Sequence, residues 1–182
     1  RRRPGGRRGD AAGRSVSPVR TSVHLVRHGE VFNPEKVLYG RLPGYELSVH
    51  GQRQAERVAA HLARADVAAV FASPLERARQ TAGPVAAAHG LAVTTEERLI
   101  EAGNAFEGQH VSVGDGALRH PANWPLLRNP FRPSWGEPYL EIAHRMLGAV
   151  HHARAAAAGR EAVCVSHQLP VWTLRRFLSG QR

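Results

Sequence analysis

Short runs of consecutive apolar residues recur along the chain from residue 21 onwards. They lie at 23–26 (VHLV), 67–71 (VAAVF) and 163–165 (VCV). Runs of this kind, without strict alternation of apolar and polar positions, are typical of strands buried on both faces between layers of helices. The pattern therefore predicts three buried strands.

Between the first two predicted strands, apolar residues recur with the period of a helix. Ala55, Val58, Ala59 and Leu62 occupy positions i, i+3, i+4 and i+7, which places them on one face of an amphipathic helix. Ser48 precedes this pattern and is predicted to be the N-cap of the helix.

Three further helices are predicted. The segment 73–76 (SPLE) follows the second strand and combines a capping-box pair with a proline at the first helical position. We therefore expect a helix to begin at the carboxyl end of that strand. Spaced apolar residues mark two more helices, with Leu140, Ala143, Leu147 and Val150 in one and Leu174, Phe177 and Leu178 in the other.

The alternation of strands and helices predicts an α/β fold. We expect a three-layer sandwich in which helices flank a mostly parallel central sheet. One domain at 21–182 is expected, preceded by a tail at 1–20. Sheets of this kind bind ligands beyond the carboxyl ends of their strands, so the residues that follow each strand are the candidates for chemistry.

The net charge of +10 is distributed unevenly along the chain. Seven Arg and one Asp lie in the first twenty residues, which leaves +4 for the other 162 residues. Because residues 1–20 are rich in Gly, Pro and Arg, we expect them to be disordered. Such a tail can hold polyanions electrostatically, but no recognition motif accompanies it, so no specific nucleic-acid partner is predicted.

Composition argues against several other classes of protein. A chain of 182 residues can bury a core, and no apolar run approaches the roughly 20 residues that a transmembrane helix needs. The single cysteine, Cys164, excludes internal disulfides and Cys-rich zinc sites. We therefore expect a soluble, cytoplasmic protein with no membrane partner, in which Cys164 is a buried and inert thiol.

Arginine and histidine residues follow the three predicted strands. The first strand runs into Arg27 and His28, the second into Ser73 and, one helical turn later, Arg77, and the third into His167. Because such a sheet brings its ligand-binding residues to one edge, we expect these side chains to converge. Arginine binds two phosphate oxygens at once and stays charged, so the sequence predicts an anion site suited to phosphate.

Seven segments form an ordered set of motifs over about residues 23–180. They are LVRHGE at 25–30, GR at 40–41, LSVHGQRQA at 47–55, FASPLERARQTA at 71–82, RLIEAGNAFEG at 98–108, GEP at 136–138 and VCVSH at 163–167. In this order they resemble the histidine phosphatase superfamily, also called the phosphoglycerate mutase-like family. Because all seven occur in the family's order, the match is far more specific than any one of them.

The resemblance implies a role for five residues. His28 would be the nucleophile that becomes phosphorylated, and Glu101 would donate a proton to the leaving group. Arg27, Arg77 and His167 would hold the phosphoryl oxygens.

Three further residues are candidate contacts for the substrate phosphate. Asn33 resembles the family's Asn after RHG, with a spacing one residue shorter than usual, and Gln168 stands where the family usually has Gly. Ser73 could serve as an N-cap, as a phosphate ligand or as both. Three carboxylates compete with Glu101 for the role of the acid, namely Glu96, Glu97 and Glu107.

The chemistry of these residue types agrees with the implied roles. A neutral imidazole is nucleophilic near pH 7, and a phosphohistidine splits one displacement into two easier ones. Cations around the phosphoryl group stabilise the transition state, so no metal or other cofactor is predicted. Burial would raise the pKa of Glu101 and nearby arginines would lower it. The sequence leaves that balance open.

Departures from the family pattern bear on the reaction. GEP at 136–138 replaces the commoner GES, GRLPGYELS at 40–48 lacks an acidic residue directly after GR, and the segment between Glu101 and His167 is shorter than in the glycolytic mutases. The shorter segment favours a phosphomonoester hydrolase for a small phosphorylated metabolite over a phosphoglycerate mutase. A catalytically silent phosphate-binding module is the alternative from another class.

Two other expectations concern less regular parts of the chain. The stretch between Glu101 and the third predicted helix contains Trp124, Phe131 and Trp135, and it predicts either an active-site lid or packing over the edge of the core. The sequence stops after the helix that follows His167, where family members usually add a strand. A truncated C-terminus and an unpaired sheet edge are therefore expected.

Overall fold

The computed structural model describes residues 20–112, 115–116 and 136–180. Residues 1–19 of the predicted tail, the stretch with Trp124, Phe131 and Trp135, and the last two residues lie outside these ranges. The strands are β1 (Ser22–Arg27), β2 (Val67–Ala72), β3 (Val93–Thr95), β4 (Val111–Ser112), β5 (Asp115–Gly116) and β6 (Glu161–Ser166). The helices are α1 (Val49–Leu62), α2 (Glu76–Ala88), α3 (Tyr139–Ala156) and α4 (Gln168–Leu178), with a short 3₁₀ helix at Glu97–Leu99.

Four parallel strands form the central sheet in the order β1-β6-β2-β3. The short strands β4 and β5 form a separate antiparallel pair. Helices α1 and α2 pack on one face of the central sheet, and α3 and α4 pack on the other. The predicted three-layer α/β sandwich with a parallel sheet is confirmed.

Strand β6 shows why an unbroken apolar run is needed in the middle of such a sheet. Val163 and Val165 pack into the cluster beneath α1 and α2. Ala162 and Cys164 point the other way, into the cluster beneath α3 and α4. All four are fully buried, so both faces of this part of the strand are covered by helices and filled by apolar side chains.

Strand β1 differs from this pattern. Its side chains are half-buried in the middle and exposed at both ends, so the prediction that it is buried on both faces is wrong. The reason is its position, because among the described residues β1 pairs only with β6 and forms an edge of the sheet.

The starts of α1 and α2 were predicted with different success. Ser48 caps α1 as predicted, since the Gly51 N–H donates to its Oγ over 3.0 Å. The predicted capping box at 73–76 is wrong, because α2 begins at Glu76 with Leu75 as an N-cap that makes no side-chain cap bond. The Ser73 hydroxyl instead has a partner in the site described below.

The two C-terminal helices were predicted by apolar spacing, yet part of that spacing faces solvent. Leu140, Phe177 and Leu178 are exposed. Helix α3 turns a neighbouring set of side chains into the core, namely Ile142, Ala143, Met146, Ala149 and Ala153.

Two expectations drawn from composition can be compared with the described residues. Cys164 is fully buried, and burial raises the pKa of its thiol to about 12, which makes it inert at neutral pH. Across the described ranges, no helix has both the length and the apolar character needed to cross a bilayer.

Candidate active site

The register of the sheet brings the predicted site residues to one edge. Arg27 at the end of β1 lies opposite Ser166 at the end of β6, and Ala72 at the end of β2 lies opposite Val165. The next residue along each strand is therefore His28, His167 or Ser73. The expected convergence at the carboxyl edge is found.

His28 is nearly buried directly after β1, with 6% of its surface exposed. Its Nδ1 lies 2.7 Å from the carbonyl oxygen of Gly29. A carbonyl only accepts, so Nδ1 carries the hydrogen and Nε2 keeps its lone pair. Burial lowers the pKa of His28 to about 4, with Arg77 and Arg27 contributing and the Gly29 hydrogen bond opposing. The imidazole is therefore neutral at pH 7, with a nucleophilic nitrogen.

Two glycines let the loop that carries His28 approach helix α1 closely. A Cβ on Gly29 would lie 2.5 Å from the carbonyl oxygen of Gly51, and a Cβ on Gly51 would collide with the carbonyl of Glu30. The Gly29 N–H also donates to Thr81 Oγ1 over 3.0 Å. The backbone beside His28 is thus held by both α1 and α2.

Arg77 lies in the first turn of α2 and has no exposed surface. Its Nη2 donates to the carbonyl of Gly40 over 2.6 Å, and its guanidinium carbon lies 4.8 Å from the centre of the Tyr39 ring. Its Nε and Nη1 are buried and have no partner among the described residues. Buried charged donors without acceptors are costly, so these two N–H groups are suited to an anionic acceptor.

His167 is fully buried directly after β6, with its ring centre 5.0 Å from that of His28. Its Nε2 lies 2.7 Å from Ser73 Oγ. Its Nδ1 has no hydrogen-bond partner among the described residues and lies 4.0 Å from Glu101 Oε2. Burial lowers the pKa of His167 to about 2, and nearby Arg77 adds to the effect. This imidazole is therefore neutral as well.

Glu101 follows the 3₁₀ helix and faces the same space. Its Oε1 accepts from the Ala102 N–H over 2.9 Å. Burial raises the pKa of its carboxyl, and this effect outweighs the opposing Ala102 hydrogen bond and the charges of Arg77, Arg145 and Arg27. The sequence left open whether burial or the arginines would dominate, and burial does. The carboxyl therefore keeps its proton to a higher pH than an ordinary glutamate.

The competing carboxylates lie elsewhere. Glu96 accepts from Arg98 and is paired with His152, and the Arg98 hydrogen bond is the main reason that its pKa falls to about 2. Glu107 Oε1 accepts from the Asn104 backbone N–H. Neither these two nor Glu97 lines the cavity that Glu101 faces.

A cavity of about 280 Å³ opens in front of these groups. Arg27, His28 and Glu101 line it, together with Gln168 at the start of α4. Gln168 is exposed, so its side chain is accessible to a ligand. Arg77, His167 and Ser73 lie behind the cavity surface, since none of the three has exposed area.

Two of the secondary phosphate candidates are engaged with other parts of the protein. Asn33 donates to the Val37 carbonyl over 2.9 Å and accepts from the Val37 N–H over 3.3 Å, and it does not line the cavity. Ser73 contacts His167. In this geometry Asn33 braces the loop before Tyr39, and the Ser73 hydroxyl is engaged with His167.

Several residues beside the site are ones to which the sequence assigns no specific role. Tyr39 and Gly40 hold Arg77, and Arg41 donates to the carbonyl of Glu101. Glu137 and Arg145 bind each other beside the same loop. The GR and GEP motifs pointed to three of these positions, Gly40, Arg41 and Glu137. Tyr39 and Arg145 lie in no motif, and Arg145 resembles any other polar position on a helix.

Within residues 20–112, 115–116 and 136–180, no group of three or more His, Cys, Asp or Glu side chains is placed to hold a metal ion. Arg27, Arg77 and Arg145 supply positive charge near the cavity, since all three act on Glu101 and His167.

The fold and this edge define a class of protein: an α/β domain in which arginines, two neutral histidines and a carboxyl of raised pKa meet at the carboxyl edge of a parallel sheet. Residues 23–182 match the histidine phosphatase superfamily (branch 1). The chain belongs to this family.

Named relatives of the chain include both a phosphatase and a mutase. It is 61% identical over 165 residues to "Uncharacterized protein Rv0525" of Mycobacterium tuberculosis, covering 91% of this chain and 82% of the relative. It is 33% identical over 165 residues to "Probable phosphoglycerate mutase GpmB" of Klebsiella pneumoniae, covering 87% of this chain and 74% of the relative. The native structure of the mycobacterial glucosyl-3-phosphoglycerate phosphatase Rv2419c superimposes with a TM-score of 0.69 at 26% identity, covering 87% of this chain and 79% of that one.

Proposed function

We propose that the chain is a phosphomonoesterase that hydrolyses a small phosphorylated metabolite through a phosphohistidine on Nε2 of His28. The observation that carries the proposal is a set of three buried nitrogens without a partner among the described residues, namely Nε and Nη1 of Arg77 and Nδ1 of His167. Both residues neighbour the neutral imidazole of His28, since the ring centre of His167 lies 5.0 Å from that of His28 and the Arg77 charge helps to lower the pKa of His28. Phosphoryl oxygens are acceptors that suit all three donors.

In the first step, the Nε2 lone pair of His28 attacks phosphorus as the bond to the ester oxygen breaks. The leaving alkoxide takes the proton of the Glu101 carboxyl, whose raised pKa keeps it available. The N–H at Nδ1 of His28 keeps donating to the Gly29 carbonyl, which stabilises the positive charge that develops on the ring.

In the second step, water attacks the phosphorus of phosphohistidine. The Glu101 carboxylate takes a proton from that water, the P–N bond breaks, and its electron pair returns to Nε2 of His28. Inorganic phosphate leaves, and the nucleophile and the acid regain their starting states.

The proposed reaction needs no metal ion or other cofactor. In this proposal, transition-state charge on the phosphoryl oxygens is stabilised by Arg27, Arg77 and the Nδ1–H donor of His167. The cavity of about 280 Å³ is at the lower end of the range for small-molecule sites, which favours a small phosphate ester as the substrate.

A mutase is the second candidate, favoured by the resemblance to "Probable phosphoglycerate mutase GpmB". In that reaction a hydroxyl of the bound metabolite, rather than water, would receive the phosphoryl group from His28. Incubation with a phosphoglycerate distinguishes the two, since a mutase gives the isomer and a phosphatase gives inorganic phosphate.

Hydrolysis of an aryl phosphate tests the proposal. We expect turnover that survives EDTA, is lost in His28→Ala, and proceeds through an acid-labile, base-stable phosphoenzyme. Metal dependence, an undiminished His28→Ala rate or a label on serine would reject the mechanism. Vanadate binding without any turnover would identify a silent phosphate-binding module instead.

A further inference from the structure

Two arginines from different parts of the chain converge on the carboxylate of Glu137, in the GEP segment just before α3. Arg145 donates from Nε to Oε1 over 2.6 Å and from Nη2 to Oε2 over 2.9 Å. Arg41 donates from Nη2 to the same Oε2 over 2.9 Å. The Glu137 and Arg145 side chains are 17% and 16% exposed, so solvent screens this pair only partly.

The remaining N–H groups of the two arginines reach the loop that carries Glu101. Arg145 Nη1 donates to the carbonyls of Arg98 and Ile100, both over 2.7 Å. Arg41 Nε donates to the carbonyl of Glu101 over 2.7 Å. Three carbonyls at and just before Glu101 are therefore held by cations whose own orientation depends on Glu137.

The backbone adds a further tie between the same two segments. The Glu137 N–H donates to the Gly103 carbonyl over 3.1 Å, and Gly136 pairs with Asn104. The GEP segment and the loop after Glu101 are thus joined at the mouth of the cavity.

Charge gives Glu137 a second effect on the same carboxyl. Arg77, Arg145 and Arg27 all favour the ionised form of Glu101, and neutral His28 and His167 face it from the ends of the strands. The Glu137 carboxylate neutralises part of the Arg145 charge through a bidentate pair. Without it, an uncompensated cation would stand beside the proton donor.

We propose that Glu137 is a positioning residue for the proton-donating carboxyl of Glu101, acting through Arg41 and Arg145. The inference rests on the proposed function, because it assigns Glu137 to the protonation of the leaving group. Nothing in it requires Glu137 to touch the substrate.

The test compares Glu137→Gln with wild type on an alkyl and a nitrophenyl phosphate. Nitrophenolate barely needs a proton, so we expect the variant to lose about 10-fold or more in kcat/KM on the alkyl ester and much less on the aryl ester. The descending limb of the alkyl-ester pH profile should move to lower pH by about 0.5–1 unit, because the added net positive charge lowers the pKa of Glu101.

Glu141→Gln is the matched control. It removes one carboxylate from the first turn of α3, where Glu141 is exposed and is not one of the partners of Arg145. We expect its alkyl-to-aryl ratio and its pH profile to equal those of wild type. If Glu137→Gln shares that result while it remains folded, the inference is wrong.

A second variant keeps the test decisive if Glu137→Gln does not fold. Arg41 is 39% exposed, so Arg41→Met should fold, and it removes the donor to the Glu101 carbonyl while leaving the pair of Glu137 and Arg145. We expect a larger loss on the alkyl ester than on the aryl ester. Equal losses on the two esters would overturn the inference.

Titration of the Glu101 carboxyl by NMR separates this inference from the proposed function. A lower carboxyl pKa in Glu137→Gln than in wild type is expected whether or not the chain turns over a given ester. An inactive wild type would reject the function, whereas an active wild type with an unchanged Glu101 titration in the variant would reject the role of Glu137.

Discussion

The Oγ of Ser73 lies 2.7 Å from Nε2 of His167, beneath the fully buried imidazole. The Leu75 N–H donates to the same Oγ over 3.4 Å. The oxygen is the acceptor in that contact, so the hydroxyl hydrogen can be donated to Nε2 of His167. In that arrangement Nδ1 of His167 carries a hydrogen and can donate to a phosphoryl oxygen.

Ser73→Ala should therefore weaken phosphate binding without removing any group that contacts phosphate. Without the hydroxyl, nothing fixes the tautomer of His167. We expect the free energy of binding to weaken by about 1 kcal/mol, or roughly fivefold in the Kd for vanadate. Calorimetry measures the affinity, and 15N chemical shifts report the tautomer.

Ser166→Ala is the control for Ser73→Ala, since the Ser166 hydroxyl is equally buried but donates to the Leu99 carbonyl. It should reduce stability and leave vanadate affinity unchanged. Equal weakening in both variants would contradict a specific role for Ser73.

Arg77→Met should abolish most activity and spare the fold. Two buried N–H groups of Arg77 are without partners among the described residues, and removing such donors costs about 10²–10³ in kcat/KM. Without phosphate, the variant should be at least as stable as wild type, because a buried cation with two unpaired donors is removed. Thermal unfolding with and without phosphate checks this, since phosphate should stabilise wild type and should not stabilise Arg77→Met.

Exposed Arg79, two residues further along α2, supplies the comparison for Arg77. Arg79→Met should keep wild-type activity and wild-type stabilisation by phosphate. A similar loss of activity in both variants would mean that net charge, rather than the placement of Arg77, governs binding.

The pH profile should reflect His28 on its acid side and Glu101 on its alkaline side. The pKa of His28 is lowered to about 4, so kcat/KM rises as pH increases through that region and the nucleophile loses its proton. The pKa of Glu101 is raised by burial, so kcat/KM for an alkyl phosphate falls only above the ordinary range of a glutamate. In Glu101→Gln the falling limb should disappear; if it persists with the same ester, another group is the acid.

Gly51→Ala should disturb both stability and activity. The new Cβ would collide with the Glu30 carbonyl, and such overpacking costs about 1–3 kcal/mol. Displacement of the neighbouring loop should also lower turnover, because it carries His28. Gly83→Ala in α2 is the control, since a Cβ there meets nothing within 4 Å apart from its chain neighbours, and it should keep turnover at the wild-type level. Equal effects on unfolding would contradict the argument from close approach.

Sequence alone determined the layers of the fold and the core of the site. Apolar runs and helical periods are local properties of the sequence, so the central strands and α1 could be predicted correctly without knowledge of tertiary contacts. Because parallel strands share one carboxyl edge, placing His28, Arg77 and His167 after strands was sufficient to bring them together.

Only the tertiary structure decided which partner each polar side chain selects. Ser73 reads as a helix cap until His167, 94 positions away, is seen above it. Glu101 differs from Glu96 only in its surroundings, since one faces a cavity and the other is held by Arg98. Burial raises the pKa of Glu101, and the three cations that oppose this effect come from three separate elements. Hydrogen bonds and desolvation depend on distances of a few ångströms between residues remote in the chain, and no local pattern encodes those distances.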